Sequence, residues 1–329
     1  MKQPRAYLMK TARRIALLAA SLLPVAAGAA RAEGLSAGVW PRNPFAFTLS
    51  DEIFTAPEAP RFETAARIAG DGLATIGADL ADIFTFPMRD PGAFAAYALG
   101  VGALVLIDRP TTIAYQETLV PLGKRINLPP LVDMSGWPIN VSVDEQYVGA
   151  AVAGTWAYGV LANDERAQVA AMLSAKAFGY SYLTSHVLLK AAFGRNRPVP
   201  GLRGHRGPVG DYTTSPFDFF NAPGINLSSV TAGTGMPSFH FTMYYSTARV
   251  YAGVYDNWLV PYALATALAL QSAEGHHHWV SDMVAGALIG TGIGNVVLSN
   301  YQDRRRERLG TLTPVVSSKG AGVLYQLRF

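Results

Sequence analysis

The chain has 329 residues, 50% of them hydrophobic, with 27 lysines and arginines against 23 aspartates and glutamates. This length suffices for one large domain with a sizeable core, and no basic stripe indicates a nucleic-acid partner. Cysteine is absent, which excludes disulfides, thiolate nucleophiles and cysteine metal ligands.

The first 32 residues have the pattern of a secretory signal peptide. Basic side chains cluster in residues 2–14, an apolar stretch follows over residues 15–29, and Ala30-Arg31-Ala32 forms a small-x-small cleavage site. The alternative, a permanent membrane anchor, is disfavoured because the apolar stretch is short for a span. Cleavage would leave 21 basic and 23 acidic residues. We therefore expect an exported protein, and the lack of cysteine suits a bacterial periplasm.

The rest of the chain predicts mostly helices. Residues 33–62 indicate an irregular arm, and residues 64–86 have the apolar spacing of an amphipathic helix. A long loop at residues 199–236, rich in glycine, proline, serine and threonine, predicts a wall or lid of a functional site. Residues 312–316 and 323–327 predict a short C-terminal β-hairpin. Further helices are predicted at residues 92–107, 147–162, 166–190, 239–254, 258–274 and 276–299.

Three separated segments carry the chemistry. They are Lys190–Pro198 (Lys-Ala-Ala-Phe-Gly-Arg-Asn-Arg-Pro), Pro237–His240 (Pro-Ser-Phe-His) and His278–Asp282 (His-Trp-Val-Ser-Asp). Together they resemble the tripartite signature of the type 2 phosphatidic acid phosphatase superfamily, which also contains bacterial nonspecific acid phosphatases and vanadium haloperoxidases. The family pattern is Lys-x6-Arg-Pro, then Pro-Ser-Gly-His, then Ser-Arg-x5-His-x3-Asp. The resemblance covers roughly residues 145–300.

The first two segments contain residue types that suit phosphate binding. Lys190 and Arg197 supply positive charge, and the guanidinium can grip two phosphate oxygens at once. Ser238 predicts a helix N-cap, so the backbone N–H groups of Ser238, Phe239 and His240 would bind the anion. An imidazole titrates near neutrality, so His240 is predicted as the general acid for the leaving alcohol.

The third segment predicts a nucleophile. His278 and Asp282 are four residues apart and would share one helix face. Asp282 then holds the proton of one ring nitrogen while the other attacks phosphorus, giving a phosphohistidine that water cleaves. The neighbouring His276 and His277 suggest a metal cluster, but consecutive helical residues point in different directions. We therefore predict no metal site and no metal requirement.

Two positions depart from the family pattern. Phe239 stands where the family has glycine, and its ring is expected to line an apolar substrate pocket or to narrow the site. Ser272 stands where a third cationic phosphate ligand is expected. The lack of that ligand would cost on the order of 2–4 kcal/mol of transition-state stabilisation in a site for phosphoryl transfer. Arg195, Arg203 and Arg206 are candidates to replace that charge from the loop.

The resemblance implies an all-α helical bundle similar to the phosphatidic acid phosphatase and haloperoxidase fold. The predicted divisions are a signal peptide at 1–32, an N-terminal arm and amphipathic helix at 33–90, a helical catalytic domain at 91–300 and a C-terminal tail at 301–329. Apolar runs of about 13 to 17 residues are shorter than the roughly 20 that a span needs, so we expect a soluble or peripherally attached bundle. Arg304–Arg308, which would suit a cytoplasmic helix end, is the contrary signal.

Three functions are compatible with these features. The leading prediction is an exported, metal-independent phosphatase without a cofactor, acting on phosphomonoesters, with lipid phosphates or pyrophosphates favoured over sugar phosphates. The alternatives are a vanadium-dependent haloperoxidase, since vanadate mimics phosphate in the same pocket, and a catalytically weakened envelope binding protein of the same fold. The predicted partner is a phosphorylated small molecule or lipid, with a membrane surface as a further hypothesis. The sequence leaves the oligomeric state open.

Overall fold

The computed structural model describes residues 47–54, 59–126, 128–135, 141–221, 224–225, 227, 231–309, 311–317 and 320–326. The predicted signal peptide and most of the predicted arm lie outside these residues. The helices in chain order are α1 (Arg61–Ala74), α2 (Ile76–Arg89), α3 (Pro91–Leu106), α4 (Asp108–Thr118), α5 (Val120–Gly123), α6 (Val143–Ala162), α7 (Glu165–Ser181), α8 (Lys190–Phe193), α9 (Phe239–Tyr255), α10 (Leu259–Gln271), α11 (Ala273–His276) and α12 (Val280–Leu309).

The structure confirms the all-α fold and contains the predicted C-terminal hairpin. Its strands, β3 (Thr311–Ser317) and β4 (Gly320–Gln326), pair antiparallel along their full length. Two short strands, β1 (Arg197–Pro198) and β2 (Tyr212–Thr213), form a parallel pair inside the long loop. This pair ties the first motif segment to the loop that follows it.

Some boundaries differ from the prediction. The helix predicted at residues 64–86 is divided at Thr75 into α1 and α2. The helix predicted at 166–190 continues from α7 into a π-helical segment, Tyr182–Leu189, and then α8. The last long helix begins at Val280 and runs to Leu309, so the backbone has no break at the predicted domain boundary at residue 300.

A buried carboxylate explains one interruption of the apolar pattern. Asp79 has no solvent exposure and lies 2.5 Å from Nζ of Lys176. Its oxygens also accept hydrogen bonds from the Tyr180 hydroxyl at 2.9 Å and from the Asn300 side chain at 3.0 Å. Because a buried charge is tolerated only when it is paired, this cluster fixes α2 against α7 and α12.

A second buried carboxylate accounts for the arginines near the end of α12. Asp71 of α1 is fully buried, and its oxygens lie 3.0 Å from Nε of Arg308 and 3.5 Å from Nη1 of Arg305. The Nε of Arg304 is 3.9 Å away. Three arginines of the segment 304–308 therefore face an internal carboxylate.

Close packing of α9 on α12 joins the second and third motif segments. A Cβ atom added at Gly286 would lie 2.4 Å from the carbonyl oxygen of Ser238, and one added at Gly290 would lie 2.3 Å from that of Thr242. The Ser238 N–H donates to the carbonyl of Asp282 at 3.0 Å. Only glycine allows this approach, so the small residues of α12 bring the two segments together.

One described helix, α12, has the length and apolar composition of a membrane-crossing helix, and 56% of its apolar window is buried inside the fold. The segments Pro91–Leu106 and Asp108–Gly123 meet the same criteria as a pair and are bent by 74°. A core helix buried by its neighbours satisfies these criteria equally well.

We predict that Gly290→Ala lowers the free energy of unfolding by about 1–3 kcal/mol, because the added methyl group must displace the backbone of α9. Gly292→Ala is the matched control, since no heavy atom lies within 4 Å of a Cβ at that position. The control should be neutral or stabilising by up to about 1 kcal/mol, since alanine favours helix over glycine. Denaturant unfolding of both variants checks this, and equal stabilities would contradict the packing account.

Candidate active site

The second and third motif segments line one pocket beside the N-termini of α9 and α12, and Arg197 of the first segment bonds the carbonyl of His276, a residue of the pocket lining. Ser238 is the N-cap of α9, and Asp282 lies in the first turn of α12. The pocket is lined by residues that include Ser238, His240, Ser272, His276 and His278. The sequence therefore identified residues that the fold does bring together.

The pair His278–Asp282 has the predicted contact, but its backbone setting differs from the prediction. Nδ1 of His278 lies 3.6 Å from Oδ2 of Asp282. His278 precedes α12, which begins at Val280, so the two residues do not share a helix face. His277 has a left-handed backbone (φ 35°) that turns the chain between α11 and α12. Oδ2 of Asp282 also accepts the Trp279 N–H at 3.0 Å, so this carboxylate caps α12 while it faces the imidazole.

Arg195 forms an ion pair with Oδ1 of Asp282, the carboxylate oxygen that does not face His278. Its guanidinium is fully buried and lies 2.6 Å from Oδ1 of Asp282 and 2.7 Å from Oδ2 of Asp108. It also donates to Ser281 Oγ at 2.7 Å and to the carbonyl of Pro216. We therefore revise the prediction that Arg195 is an auxiliary phosphate ligand: its donors are used in positioning Asp282. The sequence analysis missed Asp108, although a carboxylate directly after an apolar run was a usable signal.

The two predicted phosphate-binding cations lie in the interior. Lys190 is 5% exposed, and its Nζ is 3.4 Å from Nδ1 of His186. Burial, together with the nearby charge of Arg197, lowers the pKa of Lys190 to about 7. Arg197 donates from Nη1 to the carbonyl of His276 at 2.9 Å, while its buried Nε has no hydrogen-bond partner among the described residues.

The predicted general acid, His240, faces two carboxylates that sequence analysis missed. Its Nε2 lies 3.7 Å from Oδ2 of Asp144 and 3.8 Å from Oε1 of Glu145. Both carboxylates belong to the first turn of α6, where Ser142 and Glu145 form a capping box. The Ser-x-x-Glu pattern of that capping box was a readable sign of a helix start, but nothing in the sequence placed it beside His240. The ring of His276 stacks on that of His240 with 3.6 Å between centroids.

Both functional histidines favour the neutral form. Burial lowers the pKa of His240 well below 6.5, and the nearby His276 lowers it further. Burial also lowers the pKa of His278 well below 6.5, helped by the charges of Arg197 and Lys190. A neutral His278 presents a lone pair, as a nucleophile must.

Phe239 does not have the predicted role. Its side chain is 3% exposed, and its ring makes edge-to-face contacts with Phe178, Tyr182 and His186 at centroid distances of 6.2, 5.8 and 5.6 Å. The ring therefore anchors α9 to α7 and the π-helical segment and forms no wall of the pocket. Ser238 is the N-cap as predicted, but its N–H is used by Asp282, which leaves the following amides of the first turn for an anion.

Ser272 lies where a further phosphate ligand would be useful. It is 6% exposed, lines the pocket, and donates from Oγ to the carbonyl of Ala269 at 3.3 Å. The candidate replacements do not line this pocket: Arg203 is exposed and bonds Glu117 at 2.8 Å, and Arg206 is exposed. The charge that the family pattern places at this position is therefore not supplied by the loop.

Several buried polar atoms around the pocket have no hydrogen-bond partner among the described residues. They are Arg197 Nε, Ser238 Oγ, His240 Nδ1 and both ring nitrogens of His278. An unsatisfied buried polar group costs about 1–3 kcal/mol. The atoms that are donors would be satisfied by an oxygen-rich anionic ligand on binding.

Residues 168–306 match the family described as the PAP2 superfamily. No curated protein and no solved structure matches the chain. The matched range contains all three motif segments and most of the pocket, and the match supports a phosphatase-type function in broad terms. Over residues 168–306, this chain is therefore similar to the PAP2 superfamily.

Proposed function

We propose that this protein is an exported phosphatase that hydrolyses phosphomonoesters through a phosphohistidine on His278, without a metal cofactor. The observation that carries the proposal is the set of unpartnered buried polar atoms on Ser238, His240 and His278, which line one pocket, and on Arg197, which bonds the carbonyl of the pocket residue His276. A phosphoryl group offers oxygens to the donors and an electrophilic phosphorus to the imidazole.

Asp282 and Arg195 support the role of His278 as nucleophile. Asp282 faces Nδ1 at 3.6 Å and favours the tautomer with its proton there, which leaves the lone pair on Nε2. Attack forms the Nε2–P bond as the ester P–O bond breaks. The buried Arg195 prevents Asp282 from rotating away, since it bonds the carboxylate at 2.6 Å. The 3.6 Å contact is longer than a hydrogen bond, as is common before a substrate binds.

Lys190, Arg197 and the first-turn amides of α9 are proposed to bind the phosphoryl oxygens. The two cations stabilise the charge that develops on those oxygens, in a buried setting where electrostatic interactions are strong. The amides of Phe239 and His240 add donors aligned with the positive end of the helix dipole.

His240 is proposed to give its proton to the leaving alkoxide and then to take one from the water that attacks the phosphohistidine. This second step breaks the N–P bond, releases inorganic phosphate and restores both histidines. The proton on His240 is favoured by a bound phosphate dianion, which counteracts the burial that lowers the pKa of this ring. No step needs a Lewis acid, so removal of metal ions should not stop turnover.

The proposed substrate class is phosphomonoesters in general. The preference for lipid phosphates rested on the apolar helices and on Phe239 lining the pocket, and the Phe239 ring is buried elsewhere. The export pattern of residues 1–32 supports a periplasmic location, with association to a membrane surface as a further hypothesis.

The nucleophile is tested with His278→Ala, which should lower turnover of an aryl phosphate by at least about a thousandfold and abolish phosphoenzyme trapping. His277→Asn is the matched control, because asparagine tolerates the left-handed backbone at that position. A control that loses as much activity as His278→Ala would show that the wrong histidine has been chosen.

The buried Lys190 predicts a pH dependence of anion binding. Its pKa of about 7 means that the charged form, which binds anions, prevails below this pH and is lost as the pH rises. Sulfate keeps its charge across this range, so its inhibition constant should rise up to about tenfold per pH unit above the pKa. In Lys190→Met the inhibition constant of sulfate should be larger at every pH and should not rise with pH. If the inhibition constant of the variant still rises with pH as steeply as that of the wild type, a group other than Lys190 is responsible for the titration.

Ser272→Arg should restore the missing cationic ligand and lower the inhibition constant of vanadate by about tenfold or more, since charged hydrogen bonds contribute about 1.5–3 kcal/mol. Ser272→Gln, a side chain of intermediate length without charge, is the control. If the arginine variant folds and binds vanadate no better than the glutamine variant, the position does not face the phosphoryl oxygens.

A further inference from the structure

Three side chains beside the proposed phosphate pocket, Asp144, His240 and His276, lie close together, and a fourth, Glu145, faces His240. Asp144 and Glu145 come from the first turn of α6, His240 from the first turn of α9 and His276 from the end of α11. Nε2 of His276 lies 3.5 Å from Oδ1 of Asp144. One ligand atom each from Asp144, His240 and His276 lie within 4.8 Å of one another.

Two of the separations in this cluster are too long for direct hydrogen bonds and suit an ion between the side chains. The distances from His240 to Asp144 and Glu145, 3.7 and 3.8 Å, exceed the 2.7–3.2 Å of ordinary hydrogen bonds. Ligand atoms of a tetrahedral zinc ion, bonded at about 2.0–2.2 Å, are about 3.3–3.6 Å apart. Small side-chain movements would therefore complete a coordination sphere.

The surrounding contacts hold the carboxylates in place. The Tyr244 hydroxyl donates to Oδ2 of Asp144, and the Ser142 N–H donates to Oε2 of Glu145 at 2.6 Å. Oε1 of Glu145 is thereby left facing His240, and Oδ1 of Asp144 faces His276. Supporting hydrogen bonds of this kind orient metal ligands and strengthen binding.

We propose that Asp144, Glu145, His240 and His276 form a binding site for a zinc-class divalent cation. Two imidazoles with two carboxylates favour Zn²⁺ and its neighbours, whereas Mg²⁺ and Ca²⁺ prefer all-oxygen sites. The cation occupies Nε2 of His240 and inhibits turnover. The inhibition rests on the proposed function, in which His240 is the proton donor, but the binding does not.

The binding arm uses the purified full-length protein, stripped of metal, with Zn²⁺ titrated by calorimetry. We expect one Zn²⁺ per chain, no heat with Mg²⁺, and affinity at least tenfold weaker in His276→Asn. His277→Asn, on the adjacent residue but outside the cluster, should bind as the wild type does. Equal affinity in His276→Asn and the wild type would overturn the site, as would absence of binding to the wild type.

Two further measurements keep the test independent of the folding of a single variant. Asp144→Asn keeps the size of the side chain and should weaken binding as His276→Asn does, with circular dichroism checking the helices of both. Co²⁺ added to the unaltered protein should give the visible absorption of a tetrahedral site, and a spectrum of hexahydrated Co²⁺ alone would contradict the assignment.

The activity arm separates the two proposals. Zn²⁺ should stop hydrolysis of an aryl phosphate by the wild type, a chelator should restore it, and the rate of His276→Asn should be at least tenfold less sensitive relative to its own metal-free rate. If Zn²⁺ binds without inhibiting hydrolysis, the inhibitory role is overturned, while the binding site itself stands. A protein that binds Zn²⁺ but hydrolyses no phosphomonoester would sink the proposed function, while the titration still establishes the site.

Discussion

The buried guanidinium of Arg195 is the interaction on which the site depends. It bonds Asp108 at the start of α4, Asp282 in the first turn of α12 and a carbonyl of the loop between the first two motif segments. Removing one partner from such a network leaves an uncompensated buried charge, which costs about 3–5 kcal/mol. Folding of the bundle and orientation of the Asp282 carboxylate toward His278 are therefore consequences of the same ion pairs.

The pocket concentrates polar groups that the protein does not satisfy internally. Lys190 is buried and Arg197 is half-buried, and the unpartnered atoms of Arg197 and His278 add to the cost of folding. The pair of Asp79 with Lys176, by contrast, is a buried charge that the bundle satisfies internally. The contrast is typical of a ligand site, where stability is given up for groups that become satisfied only when the ligand binds.

Two residues show how an altered motif is accommodated. Phe239 replaces a family glycine and buries its ring against Tyr182 and His186, in a segment that is π-helical rather than α-helical. The replacement thus changes the packing behind the site while the first-turn amides remain at the pocket. Ser272 stands where the family pattern has an arginine, and no loop arginine lines the pocket in its place, so in the proposed function Lys190 and Arg197 supply the positive charge for phosphate.

The sequence by itself determined the helical class, the C-terminal hairpin and the residues of the three motif segments, because helical periodicity and motif spacing are local properties. Only the tertiary structure decided that His278 precedes its helix, that Arg195 serves Asp282, that Phe239 is buried, and that Asp144 and Glu145 face His240. These facts depend on contacts between residues far apart in the chain, as in the 96-residue separation of Asp144 and His240. Those contacts are selected by the packing of α12 glycines against α9 and by the pairing of buried charges. Neither kind of interaction produces a periodic pattern in the sequence.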